Sequence, residues 1–182
     1  MRIIHVTEVL TLYADFAAIR PEVLENAADR GTRVHDIIAE ILQDQWIPKI
    51  PEDCRGYIAS FKHFQKSMLH KTEYVEKEAL STVDGLVGHL DFVGYLKDKP
   101  DARTILDWKT PVGLSHLWEA QLNAYARLAQ SEGFPAERIG VLQLHPKGNP
   151  PKLTWYEKSP RILEAYLCAL TAYRYFIRKG DK

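Results

Sequence analysis

The hydrophobic periodicity of this 182-residue chain changes along its length, and the change predicts an α+β fold. Up to about residue 70 the apolar residues recur at helical spacing. From Tyr74 to Lys109 they fall in short runs rich in Val, Phe and Tyr, and a helix, a hairpin and a last helix follow. Elements grouped in this way, without strict alternation, belong to α+β architectures. The length fits one domain over residues 1–182, with a mainly helical part at 1–70 and a sheet with flanking helices at 72–182.

Thr7 is a candidate cap for a short helix through Leu12 to Ala17, and Pro21 starts a second small helical segment. From Gly31, residues Val34, Ile37, Ile38, Ile41 and Leu42 form an apolar stripe that Pro48 and Pro51 close. A third helix runs from Arg55 to about Leu69, with Tyr57, Ile58, Phe61, Phe64 and Met68 on one side. That aromatic stripe reads as a core face rather than a base-stacking platform. Tyr74–Leu80 and Gly85–Leu96 read as strands, and Lys97-Asp-Lys-Pro-Asp supplies turn chemistry before a strand at Thr104–Lys109. Leu117–Gln130 is helical and stopped by Gly133 and Pro135. Ile139–His145 and Lys152–Tyr156 form a hairpin, and Ser159-Pro160 opens the final helix.

A hydrophobic content of 46% supports a substantial core, so disorder is excluded. No apolar stretch approaches the roughly 20 residues of a membrane-spanning helix. The start, Met-Arg-Ile-Ile-His-Val-Thr-Glu, lacks a long apolar segment, and the expected location is the cytoplasm. Cys54 and Cys168 are too few for a zinc ribbon or an iron–sulfur cluster. A formal net charge of zero does not announce a nucleic-acid binder in bulk. Local charge matters more: Arg55–Lys71 carries four cations and two histidines without an acid, and the C-terminus adds Arg174, Arg178, Lys179 and Lys182. Each stretch is either a phosphate contact or a solvated helix face.

The residues with chemistry to offer centre on Asp107-Trp108-Lys109. Side chains alternate along a strand, so Asp107 and Lys109 share one face and Trp108 takes the other. A carboxylate of metal-ligand type then stands beside an ammonium that acts as a point charge on phosphate or water. Asp91, in Leu90-Asp-Phe-Val, and Asp107, between Leu106 and Trp108, are both costly to bury unpaired, and a shared cation accounts for the two together. His35 lies at the flank of the Gly31 stripe, Gln121 and Tyr125 share a helix face at i and i+4, and Glu76 is on the strand before Asp91. Taken singly, each of these four has an ordinary structural explanation.

Taken in order, Gly31-Thr-Arg-Val-His35, Gly88-His-Leu-Asp91, Asp107-Trp-Lys109-Thr and Gln121-Leu-Asn-Ala-Tyr125 resemble the blocks of the PD-(D/E)XK nuclease superfamily, in its RecB-like, phage-type exonuclease branch. The matching stretch spans about half the chain, Gly31 to Tyr125. The resemblance implies a restriction-endonuclease-like core, a central mixed β-sheet flanked by helices, with an N-terminal helical elaboration. It implies that His35, Asp91, Asp107 and the backbone carbonyl of Trp108 hold Mg²⁺ or Mn²⁺. Lys109 would then orient or deprotonate the attacking water, with Gln121 and Tyr125 bracing it. An assisting glutamate is also implied, and spacing favours Glu76 while leaving Glu78 open. Relatives with four cysteines carry a cluster that this chain cannot hold, and no Gly-x-x-x-x-Gly-Lys-Ser/Thr phosphate loop is present.

The expected activity is therefore metal-dependent hydrolysis of DNA phosphodiesters, in which the ion acidifies water and polarises the phosphoryl group. A histidine ligand predicts activity with both ions, at least as high with Mn²⁺ as with Mg²⁺. No element resembles a base-reading device, so an exonuclease without sequence specificity is favoured, in recombination, repair or phage DNA processing. A nonspecific or structure-selective endonuclease and a catalytically silent DNA-binding module are the alternatives. Partners would be DNA and a recombination or single-strand-binding protein, with the oligomeric state open.

Overall fold

A computed structural model describes residues 2–15, 20–46, 49–110 and 115–177. Six strands form one mixed sheet: β1 (Ile4–His5), β2 (Leu69–Ser81), β3 (Leu86–Leu96), β4 (Lys99–Lys109), β5 (Arg138–Gln143) and β6 (Lys152–Tyr156). β2, β3 and β4 run antiparallel in succession, β5 lies parallel to β4, and β6 closes the antiparallel hairpin. The helix between β4 and β5 is the crossover that a parallel pair requires.

β1 pairs parallel with Leu86 and Val87 at the start of β3. β2 already occupies one edge of those two residues, so β1 takes the other edge, the one β4 uses further along. Regular β3–β4 pairing ends at Phe92–Leu106. A gap thus opens between the two central strands, with β1 at its far end.

Helices cover both faces. α1 (Val6–Leu10), α4 (Leu117–Ser131) and α5 (Pro160–Ile177) bury one core with Leu90, Val93, Ile105, Ile139 and Val141 of the sheet. α2 (Pro21–Leu42) and α3 (Arg55–Ser67) bury the other. There Trp108 meets Phe61, Phe64 and Phe92 with ring centroids 5.4, 5.7 and 5.6 Å apart. The aromatic stripe of α3 is core, as its spacing predicts. Ile105 faces the first core while Leu106 and Trp108 face the second, so Asp107 and Lys109 project toward α4.

Several boundaries differ from the sequence reading. Thr7 lies inside α1, whose N-cap is His5, because the paired β1 delivers the chain straight into the helix. Ala17 and Pro48 lie outside the described residues. The Pro21 segment and the Gly31 helix are one 22-residue helix. The cost of an interior glycine, about 1 kcal/mol, is offset by good helix formers before it and by core burial of Val34, Ile37 and Ile38 after it. β2 begins at Leu69, five residues before Tyr74, and β4 at Lys99, so the turn at Lys97-Asp98 is tighter than its five polar residues indicate. Arg174 is a structural residue, its guanidinium donating to the carbonyls of Asp84 and Gly85. Arg178, Lys179 and Lys182 lie outside the described residues.

Candidate active site

Where β4 leaves β3, Trp108 stays in register with Leu142 of β5 but has no partner strand on its β3 side, and both of its backbone polar groups find side chains there. Its N–H donates to Asp91 Oδ2 at 2.7 Å. Its carbonyl lies 3.0 Å from His35 Nε2, on α2. His35 Nδ1 is 3.4 Å from the same Asp91 oxygen. The gap in the sheet is therefore bridged by an imidazole and a carboxylate, and a buried backbone group is left with a partner, as it must be.

Glu76 stands opposite Asp91 across β2–β3, since Val75 pairs with Phe92 and Lys77 with Leu90. Residues facing each other across antiparallel strands share a side of the sheet, so the two carboxylates converge. Glu76 has φ of 47°, a left-handed conformation rarely adopted by a residue with a long side chain. Ligand atoms of His35, Glu76 and Asp91 lie within 4.8 Å of one another. Glu76 Oε1 is buried with no hydrogen-bond partner. Glu78 points elsewhere, exposed and 3.3 Å from His89. Of the two glutamates left open by the sequence, Glu76 is the one beside His35 and Asp91.

Asp107 belongs to a second, adjoining group. Its Oδ1 accepts from Gln121 Nε2 at 2.9 Å. Its Oδ2 lies 2.6 Å from Lys109 Nζ, an ionic contact in which no hydrogen bond is well directed at that oxygen. Lys109 also donates to Gln121 Oε1 at 3.2 Å, and the Gln121 amide donates to Tyr125 Oη at 2.9 Å. Gln121 thus uses both ends of its amide to tie α4 to the Asp107–Lys109 pair. Gly88 makes room for this: a Cβ there would stand 2.8 Å from Tyr125 Cε1 and 3.0 Å from Leu128.

The titration behaviour follows from packing charges into one cleft. Burial opposes the charge on His35, but Asp91 and Asp107 outweigh it and raise its pKa to about 9. Burial and the neighbouring Asp91 push Glu76 up to about 7. Burial lifts Asp107 to about 6 against the pull of Lys109. Asp91 is also penalised by burial, yet His35, Lys109 and the Trp108 N–H hold it below the usual carboxylate range. Burial, then the nearby Asp107 and Asp91 charges, push the Tyr125 phenol well above its ordinary value. Divergent acidities in one pocket mark a candidate functional site.

All of these side chains except Glu76 line a cleft of about 260 Å³. His35, Asp91, Asp107, Lys109, Gln121 and Tyr125 are all in its wall, together with His5, Thr7 and His89, which sequence reasoning did not single out. His89 lies within the Gly88–Asp91 block, but His5 and Thr7 carry no local signal, because only the β1–β3 pairing brings them there. No residue of Arg55–Lys71 lines the cleft. Lys62, His63, Lys66, His70 and Lys71 form an exposed basic stretch along and beyond α3.

No protein-family model matches the chain, and no curated protein matches it. Among solved structures it is similar to one described as the crystal structure of SSO0001, with a TM-score of 0.53 and 16% sequence identity. The similarity covers 99% of this chain and 78% of that one, and at this identity it speaks for the fold alone. None of the described helices is long and apolar enough to cross a membrane.

Proposed function

We propose that this chain is a single-domain, divalent-metal-dependent deoxyribonuclease with a restriction-endonuclease-like core. Its proposed activity is exonucleolytic hydrolysis of DNA phosphodiesters without sequence specificity, in the cytoplasm. The observation that carries the reading is the convergence in one cleft of His35 and Asp91, backed by Glu76, with an Asp107–Lys109–Gln121 chain.

The residues fit a hard divalent cation. Oxygen donors predominate, a single imidazole suits Mn²⁺ as well as Mg²⁺, and Glu76 presents a buried oxygen without a partner. His35, Glu76, Asp91 and the Trp108 carbonyl would hold the ion, with Asp107 joining from the adjoining pair. Bound there, it would supply Lewis acidity and lower the pKa of water.

The chain's own groups do the rest. Lys109, aimed by Asp107 and Gln121, offsets phosphate charge and orients the attacking water. Gln121 holds that ammonium in place, and Tyr125, kept protonated by its surroundings, fixes the far side of the Gln121 amide. Asp91 keeps His35 turned toward the Trp108 carbonyl.

The decisive assay uses end-labelled linear DNA and covalently closed circles, each with Mg²⁺, Mn²⁺ or chelator. An exonuclease degrades only the linear form in a metal-dependent way. Nicked circles would make it an endonuclease, and two intact substrates would leave a binding module.

A further inference from the structure

We propose that His5 and His89 form a docking site for a second phosphate of the bound strand, next to the one being hydrolysed. The inference rests on the nuclease reading and adds to it a contact for the flanking nucleotide. His5 pairs with Val87 across β1–β3, and His89 lies two residues beyond Val87 on the same side of β3. Parallel pairing thereby sets the two rings side by side, with centroids 6.0 Å apart and planes 8° from parallel. Both are exposed, and both line the same cleft as Asp107 and Lys109. Glu78 Oε2 lies 3.3 Å from His89 Nε2, an exposed contact on one of the two ring nitrogens.

Charge gives the pair its role. The inner wall of the cleft carries Asp91 beside His35 and Asp107 beside Lys109, with Glu76 behind, so its cations are already engaged by carboxylates and leave little for a second phosphate. A nucleic-acid strand presents several phosphates, and only one can sit at the reacting centre. The next one needs N–H or O–H donors on the same cleft wall. Among the described residues lining the cleft, His5, Thr7 and His89 offer such groups at its exposed side, His89 once the phosphate displaces Glu78 from its Nε2.

The test compares wild type, His5→Ala/His89→Ala and His5→Gln/His89→Gln. His63→Ala, an exposed α3 histidine outside the cleft, sets the baseline. Binding of an internally labelled oligodeoxynucleotide is followed by fluorescence anisotropy with Ca²⁺, and hydrolysis with Mn²⁺. Removing a hydrogen bond to a charged group costs on the order of 10-fold per histidine. The double alanine variant should therefore bind about 100-fold more weakly, with its loss of activity falling mainly on KM. The glutamine variant, which keeps a donor, should recover part of it. Unchanged affinity in the double alanine variant, beside a wild type that cuts DNA, overturns the subsite alone. Weakened binding beside a wild type that never cuts supports the phosphate site and overturns the nuclease reading. A wild type that neither binds nor cuts overturns both.

Discussion

Replacing Glu76 with glutamine should make the metal-free protein more stable at pH 8 while weakening its hold on metal. Burial and Asp91 raise the Glu76 carboxyl from 4.5 to about 7. The folded state then holds this proton more tightly than the unfolded chain does. Glu76's favourable contribution is complete below about 4.5 and is lost as pH rises through about 7. That interval corresponds to roughly 3 kcal/mol. Solvent reaches part of the side chain, so we expect about 1–2 kcal/mol in practice. In a chain of this size that is a rise in Tm of about 2–8 °C for Glu76→Gln at pH 8, with only about a quarter of it remaining at pH 5. The assay is thermal or urea unfolding in chelator at both pH values, repeated with Mn²⁺. With the ion present the order should reverse, because the variant loses a charged ligand. A Glu76→Gln variant no more stable than wild type at pH 8, or equally stabilised at both pH values, would refute the electrostatic argument. Equal stabilisation of both proteins by Mn²⁺ would remove Glu76 from the metal site.

Three further outcomes follow from the same geometry. Lys109→Ala and Asp107→Asn should each lower cleavage of linear DNA by on the order of 10²–10⁴-fold with the circular dichroism spectrum unchanged; near-wild-type rates in either would remove that residue from the chemistry. Mn²⁺ affinity, measured by calorimetry, should rise about 10-fold per pH unit between pH 7 and 9, because His35, raised to about 9, must give up its proton to ligate; a flat profile would mean that His35 is not a ligand. Gly88→Ala should destabilise the fold by about 1–3 kcal/mol and disturb the Gln121–Tyr125 brace, since its Cβ would press on Tyr125 at 2.8 Å; a variant of unchanged stability and rate would show that α4 yields freely.

Much of the architecture is legible in local patterns. The α3 stripe, the β3 and β4 runs, the β5–β6 hairpin and the Pro160 helix start all rest on periodicities or turn residues that act over a few positions. Where the reading slipped, the deciding interaction was remote or cooperative. Thr7 has the chemistry of a cap, but strand pairing with Leu86 and Val87 starts the helix earlier. Glycine at 31 looks like a boundary, yet one unfavourable residue does not interrupt a helix anchored in the core just beyond it by Val34, Ile37 and Ile38. The same division runs through the candidate site.

By itself the sequence determined which residue types stand on which face: Asp107 with Lys109 away from Trp108, and Gln121 above Tyr125 on one side of a helix. Those relations follow from the repeat of a strand or a helix, which no tertiary contact alters. Only the folded chain decided which of them meet. The departure of β4 from β3 exposes the backbone of Trp108 to Asp91 and His35. Glu76, with its left-handed backbone, and not Glu78, joins them as a third candidate donor. A two-residue strand at the N-terminus adds His5 to the wall of the cleft. These are contacts between segments dozens of residues apart, set by sheet topology and close packing, and no local periodicity encodes them.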